Sequence, residues 1–362
     1  MIVKKGIGIN VVDAARKRIL ESFAIGKPVE LDFSGGKDSI VLADLVYQMA
    51  VAGRVDPSRL VVVFIDEEAM FDEVIRIVKM WRSKFLAIGA KFEWYCCQVK
   101  HFDCLNSMSE EETFICWDQS KKDRWVREMP PYAITDDEFL IPFKDNYQSF
   151  LARKRAAFDR ISMRGVRVAE SVQRLKYISK MKTQDISLPI YDFQDNDVWL
   201  YIKEHNLEYP AVYENLYRVG RSKKDLRISQ FFSIDTAKVL VNLGEMYPDL
   251  MERVERREPN AYLCALYWDT EMFGRSSKKR RELEEDEDRK DYKALVNDFV
   301  RRPETYQHAK MAPKVRNIII RSTGLMREND WKKLYQCIIT GDPKNRTLRA
   351  ISTSISARRK DL

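Results

Sequence analysis

Apolar residues in the first hundred positions fall into two patterns, helical spacing and short continuous runs. Over residues 10–25 they recur with helical period, which predicts a helix that ends at Gly26 and Pro28. The same period returns over 40–49 and 71–87. Runs typical of buried strands separate these helices, namely VELDF (29–33), LVVVFID (60–66) and KFEWYC (91–96). This order predicts an α/β fold with a doubly wound parallel sheet.

The pattern becomes irregular and aromatic between residues 99 and 131. A helix predicted over 150–160 precedes a strand that begins the run ISMRGVRVAES, and a later helix begins near Asp195, the expected N-cap. Beyond about residue 235 the chain is mainly helical in pattern and shows no internal repeat. We therefore expect two domains, residues 1–235 with the sheet and a helical extension over 236–362.

Composition indicates a folded protein, with 45% hydrophobic and 33% charged residues in 362 positions. No apolar run approaches the roughly 18–20 residues that span a bilayer, and the first residues lack the apolar core of a secretory signal. We expect a cytoplasmic protein without a membrane partner. The net charge of +8 favours anionic ligands. Because basic residues are spread along the chain, among acidic runs such as 284–288, nucleic acid stays open as a partner.

Six cysteines in a chain of this length provide no disulfide framework. Four of them lie close together, at Cys96, Cys97, Cys104 and Cys116. They form no CxxC pair, and the chain has three histidines, so the pattern favours ordinary thiols over an iron–sulfur or other metal site.

The segment SGGKDS, residues 34–39, stands between the first predicted strand and the helix that follows it. The first amides of a helix lack internal partners and lie at the positive end of its dipole, so they bind phosphate. Gly35 and Gly36 let the backbone approach the ligand, Ser34 and Ser39 add hydroxyl groups, and Lys37 adds a positive charge. Asp38 is the candidate ligand for Mg²⁺. The chain has neither a Walker loop nor a GxGxxG turn at this strand.

SGGKDS resembles the PP-loop of the ATP pyrophosphatases, within the adenine nucleotide alpha hydrolase superfamily. More narrowly, residues 25–235 resemble the phosphoadenosine phosphosulfate (PAPS) reductase family. MRGVRVAESVQR is similar to that family's G-x-R-x-x-E-S-x-x-R pattern, and VVVFIDEEAMFDE to its second strand and acidic turn. The segment from Leu188 to Trp199 resembles another family motif, with Phe193 in place of the usual aromatic residue. The remainder is similar to a subgroup from phages and mobile elements whose C-terminal domain has no known function.

The resemblance implies a site for ATP or PAPS. Lys37, Asp38 and Arg167 are its catalytic candidates, and Asp66 is expected beside the ribose or adenine. The full set of nucleotide-binding candidates is Ser34, Gly35, Gly36, Lys37, Asp38, Ser39, Asp66, Arg164, Gly165, Arg167, Glu170, Ser171 and Arg174. Arginine suits this role because its guanidinium binds phosphate with two parallel hydrogen bonds. A ParB/sulfiredoxin-like protein is the partner that the resemblance implies.

One departure from the family decides among the expected activities. PAPS reductases attack sulfur with a cysteine in a C-terminal Glu-Cys-Gly-x-His segment, which is absent here. We therefore expect a PP-loop enzyme that cleaves the α–β bond of ATP, to adenylate an acceptor or to support sulfur transfer. There are two alternatives. The first is a thiol-dependent PAPS or adenylylsulfate reductase, which would be an oxidoreductase and not a transferase, with Cys116 as the candidate nucleophile. The second is a catalytically silent nucleotide-binding regulator. An iron–sulfur cluster is not expected.

Overall fold

The computed structural model describes residues 8–102, 113–170, 174, 178, 185–218, 226, 228, 244–259, 261, 291–322, 324–342 and 345–360. The chain divides into two compact units. The first consists of residues 1–103 and 111–262, and the second of 104–110 and 263–362. The boundary expected between residues 235 and 236 lies outside the described residues and stays a prediction.

The first unit is built on a five-stranded parallel sheet. Its strands are β1 (Val29–Asp32), β2 (Leu60–Ile65), β3 (Lys91–Tyr95), β6 (Ile161–Arg164) and β7 (Ile186–Ser187), in the order β3-β2-β1-β6-β7. A separate antiparallel pair joins β4 (Lys100–Phe102) to β5 (Thr113–Ile115). The predicted doubly wound parallel sheet is confirmed.

Helices flank this sheet as the sequence pattern predicts. They are α1 (Val11–Ala24), α2 (Lys37–Val51), α3 (Asp72–Ala87), α4 (Tyr147–Ala157), α5 (Asp195–Glu204), α6 (Val212–Arg218) and α7 (Pro248–Arg257). The N-cap expected at Asp195 is wrong by one position. Gln194 is the N-cap residue of α5, and its backbone amide donates to the Asp197 carboxylate at 2.8 Å. The Asp195 side chain is therefore available for a contact elsewhere.

The central strands are buried because both faces of the sheet are covered. Val29, Leu31 and Val62 are inaccessible to solvent. Glu30 is the polar exception, and its carboxylate accepts from Arg155 of α4 and, at 3.0 Å, from Arg160. Pairing with two guanidinium groups compensates for the desolvation of this charge.

The order of the strands places a crevice at the centre of the sheet. From β1 the chain runs outward through β2 to β3, then returns to the other side of β1 as β6. At such a reversal the loops after the two central strands diverge, and ligands of open α/β folds bind between them. The loop after β1 carries SGGKDS, and the loop after β6 carries Gly165 and Arg167.

The described part of the second unit is helical, as predicted for the end of the chain. It comprises α8 (Tyr292–Arg301), α9 (Ala312–Arg321), α10 (Glu328–Thr340) and α11 (Arg346–Lys360). All four helices contribute to one apolar core that includes Phe299, Val315, Leu334 and Ile351. Across the described residues of both units, no helix combines the length and the apolar character needed to cross a bilayer.

Candidate functional site: a glycine loop at the centre of the sheet

The two glycines of the loop lie close to neighbouring helices, and the geometry requires glycine at position 35. Gly35 has a φ of +72°, and a Cβ there would lie 2.9 Å from methyl groups of both Val74 and Val78 on α3. A Cβ on Gly36 would lie 3.1 Å from the Tyr213 hydroxyl. The loop therefore packs against two helices, with no room for a side chain at Gly35 and a close contact with the Tyr213 hydroxyl at Gly36.

The two serines hold the shape of the loop. The Ser39 hydroxyl donates to the Gly36 carbonyl at 2.8 Å, and its oxygen lies 3.3 Å from the Ser34 amide that donates to it. The two hydroxyl groups are 3.2 Å apart. Ser39 is buried, whereas Ser34 faces solvent. Ser34 is thus the serine placed to reach a ligand directly.

The amino end of α2 opens towards this loop. No side chain caps Gly36, the residue that precedes the helix. The Lys37 amide donates to the Tyr213 hydroxyl at 2.9 Å. The N-cap residue itself supplies no side-chain acceptor, and a helix end with a positive dipole is suited to an anion that replaces the tyrosine hydroxyl. Sequence reasoning missed Tyr213, because it lies 176 positions from Lys37 and carries no local signal.

The Lys37 side chain is directed into the protein. Its ammonium group donates to the Leu226 carbonyl at 2.8 Å and lies 3.6 Å from a carboxylate oxygen of Asp38. It also lies 5.3 Å from the centre of the Tyr213 ring. The predicted catalytic lysine is therefore buried, and its catalytic role stays a prediction.

A buried guanidinium connects the loop to the second motif. Arg167 is 1% exposed; its Nε lies 2.6 Å from Asp38, and its Nη2 donates to Asp195 at 2.8 Å. Two carboxylates thus fix the plane of this arginine. Asp195, expected only to cap a helix, is one of them.

Gly165 brings the two loops into direct contact. A Cβ at this position would lie 3.2 Å from the Asp38 carbonyl and 3.3 Å from the Ser39 amide. The loop after β6 therefore packs on the first turn of α2. This contact explains physically why a glycine precedes Arg167 in the motif.

Among the other motif residues, Arg164 contacts residues of the sheet. The Arg164 Nε donates to the Ser162 hydroxyl at 2.7 Å and lies 3.1 Å from Asp32 at the end of β1. Arg174 is half-buried, and Glu170 ends a short 3-10 turn. Ser171 lies outside the described residues. The binding roles of all these residues stay predictions.

Asp66, at the end of β2, is enclosed by protein. Its carboxylate accepts from the Trp94 indole at 2.8 Å and from the Glu68 amide at 3.1 Å, and it forms an ion pair with Arg127. Asp66 is inaccessible to solvent. These contacts already occupy both carboxylate oxygens of Asp66. Its expected position beside ribose or adenine stays a prediction.

Glu67, the next residue, was missed by sequence reasoning. Its carboxylate is about one-fifth exposed and lies 3.7 Å from the Nε2 of buried His101. Burial, followed by repulsion from Asp66, raises the Glu67 pKa to about 8. The sequence did contain a signal for this position, namely the run of three acidic residues that directly follows β2.

The described cysteines are poor nucleophiles. Cys96, Cys97 and Cys116 are free thiols and almost fully buried. Burial raises the pKa of Cys97 to about 12 and that of Cys116 well above its ordinary value. Since the thiolate is the reactive form, Cys116 is a weak candidate for attack on sulfur.

The carboxylate of Asp38 does not fit the role of a magnesium ligand in this arrangement. One of its oxygens faces Arg167 and the other faces Lys37, so the adjacent charges are cations rather than further oxygen ligands. Within the described ranges, no three His, Cys, Asp or Glu residues cluster as metal ligands would. The predicted magnesium role of Asp38 remains a prediction, and no chemical step below depends on it.

Comparison with known proteins identifies several relatives. The chain is 27% identical over 274 residues to the uncharacterized protein YbdN of Escherichia coli K12, covering 68% of this chain and 65% of YbdN. It is 26% identical over 202 residues to the uncharacterized protein MJ0066 of Methanocaldococcus jannaschii, covering 54% of this chain and 36% of that protein. The chain thus spans about two thirds and about one third of these relatives' lengths.

A comparison of structures finds a distant match to the U34-tRNA thiolase NcsA from Methanococcus maripaludis, solved with its 4Fe–4S cluster. The identity is 15% and the TM-score 0.29, over 59% of this chain and 75% of the thiolase. The phosphoadenosine phosphosulfate reductase domain, a nucleotide-binding domain of sulfur-related enzymes, matches residues 28–221. This match includes the loop, Arg167 and Asp195 and covers more than half of the chain, which therefore belongs to the phosphoadenosine phosphosulfate reductase domain family.

Proposed function

We propose that the chain binds ATP at the loop after β1 and transfers its adenylyl group to an acceptor. In this reaction a nucleophile on the acceptor attacks the α-phosphorus, and the bond to the bridging oxygen breaks. Pyrophosphate leaves with the electron pair of that bond. The acceptor loses its proton to solvent or to a nearby base.

The junction of the loop with Arg167 is the observation that carries this proposal. The amino end of α2 supplies amide donors, the first of which donates to the Tyr213 hydroxyl in this structure, and Gly165 holds the second loop on the same helical turn. Arg167 adds a positive charge whose orientation is fixed by Asp38 and Asp195. In-line displacement at phosphorus depends on positioning and on stabilisation of negative charge, which is what fixed donors provide.

The state of the thiols that the structure describes favours adenylyl transfer over sulfonucleotide reduction; Cys104 and Cys264 lie outside the described residues. A reductase requires a thiolate that reaches the sulfur of its substrate. Cys96, Cys97 and Cys116 are enclosed, and their pKa values are raised by burial. The proposed adenylyl transfer from ATP does not require a thiolate.

Product analysis tests the proposal. Purified protein is incubated with Mg-ATP, and separately with PAPS and a reduced thiol donor. Because no acceptor is supplied, water takes its place as the nucleophile, and we expect AMP and pyrophosphate from ATP, unchanged in Cys116→Ser and lost in Arg167→Gln. Arg18→Gln is the matched control, since Arg18 pairs with Asp192 away from the loop.

Two other outcomes would contradict adenylyl transfer. Sulfite and adenosine 3′,5′-bisphosphate formed from PAPS, and lost in Cys116→Ser, would identify a reductase. Nucleotide binding without any product, in the presence of cell extract as a source of acceptors, would favour the regulator. Calorimetric titration with each nucleotide separates failure to bind from failure to react.

A further inference from the structure

The positive charge of the chain is concentrated at its C-terminal end. Residues 291–362 contain 16 lysines and arginines against seven aspartates and glutamates, a formal net charge of +9. Since the whole chain carries +8, residues 1–290 carry −1. Divided by compact unit, residues 104–110 and 263–362 carry +7 and the rest of the chain carries +1, so the excess lies in the second unit although basic residues occur along the whole chain. An excess of this size in one small helical unit calls for an anionic partner.

Two helices of this unit contain no carboxylates. The sequences of α9 and α11 include eight lysines and arginines and no aspartate or glutamate. The two helices lie side by side and run in the same direction. Lys314 near the start of α9 donates to Asn345 beside the start of α11 at 3.2 Å, and the Arg359 side chain donates to the Arg321 carbonyl where α9 ends.

Seven of the exposed positions of these helices form two stripes at helical spacing, which we call the basic face. All seven side chains are exposed, and all are basic, amide or hydroxyl groups. The basic face consists of Lys314, Asn317 and Arg321 on α9 and Arg346, Arg349, Thr353 and Ser356 on α11. None of its four cations forms an ion pair with a carboxylate among the described residues.

The acidic residues nearby are already engaged within the unit. Asp330 forms an ion pair with Arg358 at 2.6 Å. Asp342 accepts backbone amides at the start of α11, including that of Leu348 at 2.9 Å. Asp298 pairs with Arg302 on α8. Among the described residues of the unit, no carboxylate pairs with the basic face, whose positive charge is therefore available to an anionic ligand.

We propose that the basic face binds the phosphate backbone of a nucleic acid. Arginine, lysine, hydroxyl and amide side chains are the groups that contact phosphate and sugar oxygens. The 15 residues of α11 extend over about 22 Å, enough to follow several successive phosphates. An interfacial membrane helix would instead present large apolar residues beside its charges. The exposed large apolar residue of α9 is Ile320, and α11 exposes none among its described side chains.

Fluorescence anisotropy on the full chain tests this assignment. The probes are a fluorescein-labelled 30-base-pair DNA duplex, a single DNA strand of equal length and an RNA hairpin, titrated at 50–300 mM KCl. The test variant combines Lys314→Gln, Arg321→Gln, Arg346→Gln and Arg349→Gln. We expect about 100-fold weaker binding and a salt dependence reduced by about four ion equivalents. Arg346→Gln alone is expected to reduce the salt dependence by about one.

The matched control removes the same charge from exposed positions of the first unit, as Arg54→Gln, Lys79→Gln, Lys91→Gln and Lys203→Gln. We expect a loss below threefold. Equal losses in both variants, or absence of binding to all three probes at 50 mM KCl, would overturn the proposal. Binding to vesicles of anionic phospholipid that displaces the nucleic acid would overturn it as well. Circular dichroism establishes that both variants are folded.

This inference does not rest on ATP turnover. Gly35→Ala, which alters only the loop after β1, is expected to leave anisotropy titrations unchanged. Failure of the proposed adenylyl transfer would therefore leave nucleic-acid binding intact, and the reverse also holds.

Discussion

The ends of β1 and β2 are neighbours on the same edge of one sheet, yet they are organised in opposite ways. After β1 the chain forms a glycine loop against the amino end of α2. After β2 it forms a run of carboxylates, two of which are enclosed by arginines and indoles. Location at the carboxyl edge of a parallel sheet therefore does not by itself make a binding position. The contacts that a side chain already has decide whether it is available to a ligand.

The enclosed end of β2 gives the largest expected effect. Glu68 is fully buried and accepts from Arg257 at 2.8 Å and from the Trp117 amide at 2.7 Å. Glu68→Gln removes the more deeply buried of the two carboxylates that pair with Arg257 and leaves Glu258, at 2.7 Å, as its remaining carboxylate partner. We therefore expect the free energy of unfolding to fall by about 3 kcal/mol. Chemical denaturation measures this loss.

Asp72→Asn is the matched control, because Asp72 pairs with Arg253, one turn earlier on the same helix α7, at an exposed position. Its expected cost is below about 1 kcal/mol. Equal costs for the two substitutions would mean that the end of β2 is not enclosed as described.

The loop after β1 gives the next effect, on ligand affinity. Gly35→Ala places a methyl group 2.9 Å from two valine side chains and strains a residue at φ +72°. We expect ATP affinity, measured by calorimetry, to fall at least tenfold. Gly53→Ala introduces comparable backbone strain at φ +67° with open space around it, so ATP affinity there should stay within twofold. A similar loss in both variants would argue against a specific role for the loop.

Glu67 gives an effect that depends on pH and is smaller within any single pH unit. Its folded-state pKa of about 8 lies above the unfolded value near 4.5, so the native state holds a proton that the unfolded state has lost. The stability that Glu67 contributes is therefore complete below about pH 4.5 and is lost as the pH rises through 8. We expect stability to decrease by at most about 1.4 kcal/mol per pH unit across this window, relative to Glu67→Gln. Parallel denaturation curves for both proteins at pH 5–9 would contradict the assignment.

Asp66→Asn gives the smallest expected change in ligand affinity. Because Trp94, the Glu68 amide and Arg127 occupy its carboxylate, we expect ATP affinity to stay within twofold while stability falls. A large loss of affinity at unchanged stability would instead support the position beside ribose or adenine that the family resemblance implies.

Local sequence patterns were sufficient to predict the strands and the glycine loop, because these features depend on residues that are neighbours in the chain. The buried runs predicted the central strands, and the glycines at 35 and 36 marked a tight loop before a helix. The availability of Asp66 could not be judged in this way, since Arg127 lies far along the chain. Glu68 and Arg257 are 189 positions apart, and nothing in either segment alone indicates their contact. Tyr213 is hidden for the same reason.

The Tyr213 hydroxyl occupies part of the expected anion site at the loop after β1. It holds the first amide of α2, one of the donors that a phosphate oxygen would otherwise take, so an arriving anion competes with the protein's own phenol. The ring of Tyr213 meets the indole of Trp199 edge-on, with centroids 5.5 Å apart. Displacement of the hydroxyl would alter the surroundings of that indole. The fold thus contains a native optical reporter beside the loop, and intrinsic fluorescence can follow ligand arrival in real time without any attached label.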